Sequence, residues 1–319
     1  MDSGKSGEDA FDLIFMHSSV FVTGGSGLLG VNWAVAMRDR LHVTLGMHGR
    51  SISIARVDSI NVNLADEDAL ARSIETLGVP LVVHAAGLTS IEVCEANPTL
   101  AHEVNVVLAE NVARACARVG VALAHISTDH LFAGDRDMLT EADPVSPVNV
   151  YGRTKAEAEY RVLIAKSNAL VVRTNFFAWG PSYRQSFSDY VLNSLRAGRH
   201  VTLHQDVTFS PILAQPLIEN IHSLVWQGTE GLCHVVGDES LTKLDFGRRL
   251  ARHFNLPDDL ILAGSMNDQA RIVRRPRCMT LSNAKATSIL GRPLGTVDQH
   301  ISLLCYLEGA NSTHDIRQL

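Results

Sequence analysis

Val20-Phe21-Val22-Thr23-Gly24-Gly25-Ser26-Gly27-Leu28-Leu29-Gly30 decides the fold. A β-prone run, Val20–Thr23, enters a glycine turn, and a helix-forming run, Leu28–Asp39, leaves it. Gly24, Gly27 and Gly30 give G-x-x-G-x-x-G between strand and helix. Such a turn offers backbone N–H groups and a helix N-terminus to a pyrophosphate. At the far end of the same half stands Tyr151-Gly152-Arg153-Thr154-Lys155. On a helix, Tyr and Lys four residues apart share a face. An ammonium beside a phenol favours the phenolate, so proton exchange moves from pH ~10 toward neutrality. Together the two motifs predict hydride transfer to or from a carbonyl.

Between them, β-rich runs alternate with helical stretches, the pattern of a parallel sheet covered on both faces. Predicted strands are Val20–Thr23, His42–Leu45, Ser59–Val62, Leu81–His84, Ala122–Ser127 and Ala169–Arg173. Predicted helices are Leu28–Asp39, Asp66–Leu77, Pro98–Val119 and Val150–Ala165. After Arg173 the chain becomes aromatic and turn-rich, with Gly180-Pro181 as a breaker. Helices are predicted there at Ser188–Ala197, Gln215–Trp226, Thr242–Phe254 and Asn283–Leu290. Strands are predicted at His200–Leu203 and Gly231–Val236, and a loop at Asp206–Pro211. The expectation is a doubly wound α/β Rossmann domain over 18–173 and a smaller α/β substrate lobe over 174–319. Residues 199–228 are expected to return to the first domain, and 1–17 to form a flexible tail.

The 319 residues include 46% hydrophobic and 19% charged ones, ordinary for a soluble enzyme. A net charge of −6 argues against nucleic acid or an anionic membrane as the main partner. Apolar runs reach strand length only, too short for a membrane span. The start has no signal-peptide layout, which makes the cytoplasm the expected location. Cys94, Cys116, Cys233, Cys278 and Cys305 are scattered without metal-ligand spacing, so no metal is expected. Gly4-Lys5-Ser6 lacks the strand and first glycine of a phosphate-binding loop and reads as tail.

TGGSGLLG (Thr23–Gly30), HAAG (His84–Gly87), ISTDHLFAG (Ile126–Gly134) and SPVNVYGRTKAEAE (Ser146–Glu159) together resemble an extended short-chain dehydrogenase/reductase. Within it, the chain resembles the dTDP-4-dehydrorhamnose reductase branch from about residue 18 to about 300. The runs Val171–Phe177, Gly231–Glu239 and Arg274–Lys285 echo that branch more loosely. The resemblance implies a catalytic set of Thr128, Tyr151 and Lys155. Tyr151 would protonate the carbonyl oxygen, Thr128 would hydrogen-bond it, and Lys155 would also hold the nicotinamide ribose. It implies cofactor contacts from Gly24, Ser26, Gly27, Leu28, Gly30, Asn63, Leu64, Ala85, Ala86, Gly87, Asn105 and Lys155. Substrate contacts are expected from Thr89, Ser127, Asp129, His130 and Phe176, with Arg274 or Arg275 for a nucleotide diphosphate.

The end of the second strand speaks to cofactor choice. A site for NAD usually has Asp or Glu here. This chain has Leu45-Gly46-Met47-His48-Gly49-Arg50, without an acid. Arg50, with His48, suits a 2′-phosphate, so NADP(H) is expected ahead of NAD(H). His130, Ala133, Phe176 and Val207 depart from the branch's usual residues and leave the sugar open. The expectation is NADPH-dependent reduction of a 4-keto nucleotide (deoxy)sugar, with a homodimer left open. The alternatives are a nucleotide-sugar epimerase or dehydratase, a reductase of a non-sugar carbonyl, and a non-catalytic subunit such as the regulatory one of methionine adenosyltransferase.

Overall fold

The computed structural model describes residues 19–268 and 273–319. The expected tail 1–17, with Gly4-Lys5-Ser6, and Arg271 of the cationic run lie outside them. Strand β1 (Ser19–Thr23) leads through the glycine turn into helix α1 (Leu28–Met37). Next come β2 (His42–Met47), β3 (Asp58–Asn61), α2 (Glu67–Leu77) and β4 (Leu81–His84). Asp66 caps α2 by accepting from the Ala69 N–H at 2.9 Å, as an aspartate at a helix start should. The half is completed by α3 (Ile91–Ala96), α4 (Pro98–His102), α5 (Leu108–Val119), β5 (Ala122–Ile126), α6 (Val150–Ala165) and β6 (Leu170–Arg173).

Beyond it run the short strand β7 (Phe176–Phe177), α7 (Phe187–Arg196), β8 (Val201–His204), β9 (Thr208–Phe209), β10 (Ile212–Leu213), α8 (Ala214–Trp226) and β11 (Gly231–His234). The chain ends with β12 (Leu241–Thr242), α9 (Lys243–His253), β13 (Ile261–Gly264), β14 (Cys278–Met279), α10 (Ala284–Leu290), α11 (Val297–Glu308) and α12 (Asn311–Gln318). The last two helices were not anticipated from the sequence.

Seven parallel strands form one sheet in the order β11-β6-β5-β4-β1-β2-β3. The order reverses between β1 and β4, which opens a crevice at the carboxyl ends of those strands. Alternation along β1 sends Val20 and Val22 into one core and Phe21 into the other. Phe21 shares one core with Leu70, Ile74, Val112 and Val162 from α2, α5 and α6, while Trp33 and Ile221 belong to the opposite core with α1 and α8. This is the expected doubly wound α/β architecture.

Two details differ from the sequence expectation. The single helix over Pro98–Val119 is interrupted by a π-helical turn, Glu103–Val107, containing Asn105. Asn105 accepts from the Leu88 N–H (2.8 Å) and donates to the Leu88 carbonyl (3.1 Å) and to Thr154 (3.0 Å). A π turn is the usual device for aiming one side chain out of helical register. The Asp206–Pro211 loop contains β9, which pairs with β12 and β14. Within 199–228, β8 pairs with β13 outside the main sheet and α8 packs on the Rossmann core; β11, beyond residue 228, pairs with β6 in the main sheet.

Candidate active site

The glycine turn is fixed by close approach. Gly24 has φ of +74°, and a Cβ there would lie 2.7 Å from the Ala86 nitrogen. A Cβ on Gly30 would lie 2.6 Å from the Gly24 carbonyl. Only glycine fits both places, and the turn delivers the N-terminus of α1 with no side chain capping it. That is a cradle suited to a dinucleotide pyrophosphate. It opens into a cleft of about 790 Å³ running along the strand ends, the size of a small-molecule site.

Gly24, Ser26, Gly27, Leu28, His48, Asn63, Leu64, Ala85, Ala86, Gly87, Asn105 and Lys155 line this cleft. So do Thr89, Ser127, Thr128, Asp129, His130, Tyr151 and Phe176. Gly30 lies one turn behind, against the glycine loop. Arg50 is outside the cleft wall, its guanidinium 4.1 Å over the Tyr183 ring. Tyr183 donates in turn to the Ser26 carbonyl at 2.9 Å, so this arginine is tied to the glycine turn through a residue from the second half.

Arg274 and Arg275, expected to meet the diphosphate, are not among the residues that line the cleft, although the charge of Arg275 acts on His130 within it. Val273 and Pro276 are buried and anchor the run. Arg274 is exposed, with its carbonyl held by Asn149 at 3.0 Å. Arg275 is paired with Glu92 at the cleft margin, and Arg277 with Asn267. The arginine that does line the cleft is Arg184, which donates to Thr89 at 2.8 Å. Sequence reading passed over Tyr183 and Arg184; the Gly180-Pro181 breaker was the available signal that this segment turns back.

At the centre of the cleft Asn149 caps α6 by accepting from Gly152 (2.8 Å), which sets Tyr151 and Lys155 on the inner face. The Thr128 hydroxyl lies beside the Tyr151 phenol and favours its ionised form. Thr128 donates to Asp129 (3.3 Å) and accepts from the His130 N–H (3.2 Å). Asn175 clamps the other Asp129 oxygen at 2.5 Å. The second half adds Lys243, whose ammonium lies 3.1 Å from the Phe209 ring centre and whose charge acts on Asp129 and His130.

The protonation states differ from the simple Tyr-beside-Lys expectation. Burial pushes the Tyr151 phenol up to about 12, opposed first by the Thr128 hydrogen bond. Burial also brings Lys155 down to about 8, opposed by the Glu159 carboxylate. The ammonium donates to the Ile126 carbonyl (2.7 Å) and lies 3.4 Å from His125 Nε2. Desolvation outweighs the pairing of unlike charges here, so Tyr151 is a phenol at neutral pH. His130, edge-on to Tyr151 at 5.8 Å, is held neutral by burial. Among the described residues no cluster of His, Cys, Asp or Glu could hold a metal.

Residues 18–305 match the family described as the RmlD substrate binding domain. The chain belongs to this family. Its relatives include dTDP-4-dehydrorhamnose reductase of Mycolicibacterium smegmatis, 32% identical over 88% of this chain and 82% of that protein. A probable low-salt glycan biosynthesis reductase, Agl14 of Haloferax volcanii, is 29% identical over 89% of this chain and 96% of its own length. Methionine adenosyltransferase 2 subunit beta of Xenopus laevis is 28% identical over 77% and 75%. In structure, the RmlD-family fold superposes on dTDP-4-dehydrorhamnose reductase from Bacillus anthracis, solved with NADP. The TM-score is 0.80 at 20% identity, covering 91% of this chain and 99% of that one. Among the described residues no helix is long and apolar enough to cross a membrane.

Proposed function

We propose that this protein reduces the 4-keto group of a nucleotide-linked deoxysugar with NADPH. The observation that carries the proposal is the meeting of Thr128, Tyr151 and Lys155 in one cleft with the glycine cradle. Membership of the RmlD family and the reductases among its relatives support the same chemistry. The cradle, Asn63, Leu64 and the Ala85–Gly87 run would hold the dinucleotide, with Arg50 and His48 toward a 2′-phosphate. When bound, the nicotinamide supplies the hydride.

The chain's own residues do the rest. Because burial keeps Tyr151 protonated at neutral pH, it is a general acid for the carbonyl oxygen. Thr128, beside it in the cleft, stabilises charge developing on that oxygen. Lys155 and Asn105 anchor the floor beneath, and His130, Asp129 and Phe176 face the sugar. Arg184 lines the cleft with a guanidinium suited to a diphosphate. The division into a cofactor unit over 18–173 and a substrate unit over 174–319 belongs to this proposal.

The test is NADPH oxidation across a panel of dTDP- and UDP-linked 4-keto sugars, with non-sugar ketones as controls. Turnover of one nucleotide sugar class is expected. Turnover confined to non-sugar ketones would contradict the substrate, and dinucleotide binding without any turnover would favour a subunit role like that of the methionine adenosyltransferase relative. The cytoplasm fits the five free cysteines. The acidic charge of −6 disfavours a nucleic-acid partner. A homodimer is part of the same reading, and light scattering checks it.

A further inference from the structure

A row of buried polar side chains crosses the sheet directly behind the cleft, and neither motif announces it. Thr23 on β1 is in register with His84 on β4, and His84 with His125 on β5. Thr23 Oγ1 lies 2.8 Å from His84 Nδ1. The two imidazoles stack, with centroids 5.3 Å apart and planes 20° apart. His125 Nε2 then faces the Lys155 ammonium at 3.4 Å. His84 Nε2 and His125 Nδ1 are buried with no partner among the described residues.

An ammonium can only donate, so its contact with the ring requires a bare Nε2. The His125 proton must then sit on Nδ1, where it finds no acceptor. A charged ring would also place two cations 3.4 Å apart in a desolvated site, so burial and Lys155 together hold both imidazoles neutral. The remaining charge acting on Lys155 is Glu159, one helical turn away. Arg173 on β6 matches that carboxylate with contacts of 3.0, 3.1 and 2.7 Å and reaches His234 of β11 at 3.5 Å.

We propose that His125, braced by His84, is a positioning residue for Lys155: its bare Nε2 seats the ammonium at the floor of the cleft. The inference rests on the catalytic reading of Lys155 given above and adds a tautomer and a neighbour to it. An orphaned Nδ1–H and a stack that stops the ring from turning are the costs accepted for a fixed neutral acceptor.

Two measurements test it. In the full-length wild-type protein, ¹⁵N shifts of labelled histidine, assigned by difference with His125→Gln, should show the Nδ1–H form of His125. An Nε2–H form overturns the proposal, and this readout stands whether or not any sugar is turned over. In the pH profile of kcat, His125→Phe keeps the stack but removes the acceptor. The ammonium then loses support, and the alkaline limb should move down by about one pH unit, the scale of one hydrogen bond to a charge. His125→Gln keeps an acceptor oxygen and should stay within about 0.3 unit of wild type. A merely structural role would lower Tm in both variants and leave the limb in place, which would also overturn it. Should His125→Phe fail to fold, the tautomer decides.

Discussion

The floor of the cleft and its rim use charged and polar groups under opposite conditions. On the floor, Tyr151, Lys155, His84 and His125 are buried, and every one of their proton affinities is displaced by desolvation. On the rim, Arg50, Arg184 and Arg274 are exposed and Arg275 is partly so; Arg50 lies over a ring face, Arg184 donates to a hydroxyl and Arg275 pairs with a surface carboxylate. A dry environment makes electrostatics strong and proton positions specific, whereas water and salt weaken both. The proposed function accordingly puts the chemistry on the floor and the holding of ligands on the rim. Substitutions should divide the same way.

The largest effect should come from Tyr151→Phe. It removes the acid and keeps the ring packing, so kcat should fall by about 10²–10⁴-fold. Thermal stabilisation by NADPH should persist. Near wild-type turnover would move the acid role to another group, His130 first.

The buried histidines should next make the protein acid-sensitive. His84 is lowered to about 3 and His222 to about 4, both by burial first. Unfolded imidazoles take up protons below about pH 6.5 while the folded ones stay neutral. The unfolded chain thus binds more protons in that window, and stability, complete above 6.5, falls as pH drops toward 4 and 3. At pH 5 each ring should remove about 2 kcal/mol. His222→Gln, which keeps an acceptor for Trp33 (3.1 Å in the wild type), should flatten the fall of Tm between pH 7.5 and 5. An unchanged slope would mean that other groups govern it.

On the rim, Arg50→Ala should weaken NADPH by about 1–2 kcal/mol, less than a buried charged hydrogen bond, and leave NADH nearly unaffected. Isothermal titration with both cofactors checks this; equal loss for both would tie Arg50 to the glycine turn through Tyr183 alone. Arg275→Ala should change least, within about 0.5 kcal/mol in stability and in substrate KM. A tenfold rise in KM would return the diphosphate to that arginine.

What could be read from the sequence also follows this division. The glycine turn, the alternation of β1 and the Tyr151–Lys155 spacing are local, so the strand–turn–helix and the inner face of α6 were legible. The π turn at Asn105 was not, because its cause is a pair of bonds to Leu88, 17 residues away. The histidine row needs the register of three strands, which no local pattern carries. The pairing of Arg275 with Glu92, 183 residues away, was equally out of reach of a local pattern. Gln299 closing the capping box with Thr296 was a legible start signal for α11 and was overlooked. The protonation of Tyr151 went against expectation because spacing shows which groups are near each other and not how dry their surroundings are.

Stopped-flow single turnover of NADPH with a dTDP-linked 4-keto-6-deoxysugar compares floor and rim directly. With wild type, Tyr151→Phe and Arg50→Ala measured side by side, the floor variant should slow NADPH oxidation by about 10²–10⁴-fold at unchanged cofactor Kd. The rim variant should raise Kd for NADPH by about tenfold and leave the saturated rate intact. No oxidation by the wild type, or an equal loss of saturated rate in both variants, would contradict the assignment of chemistry to the buried floor.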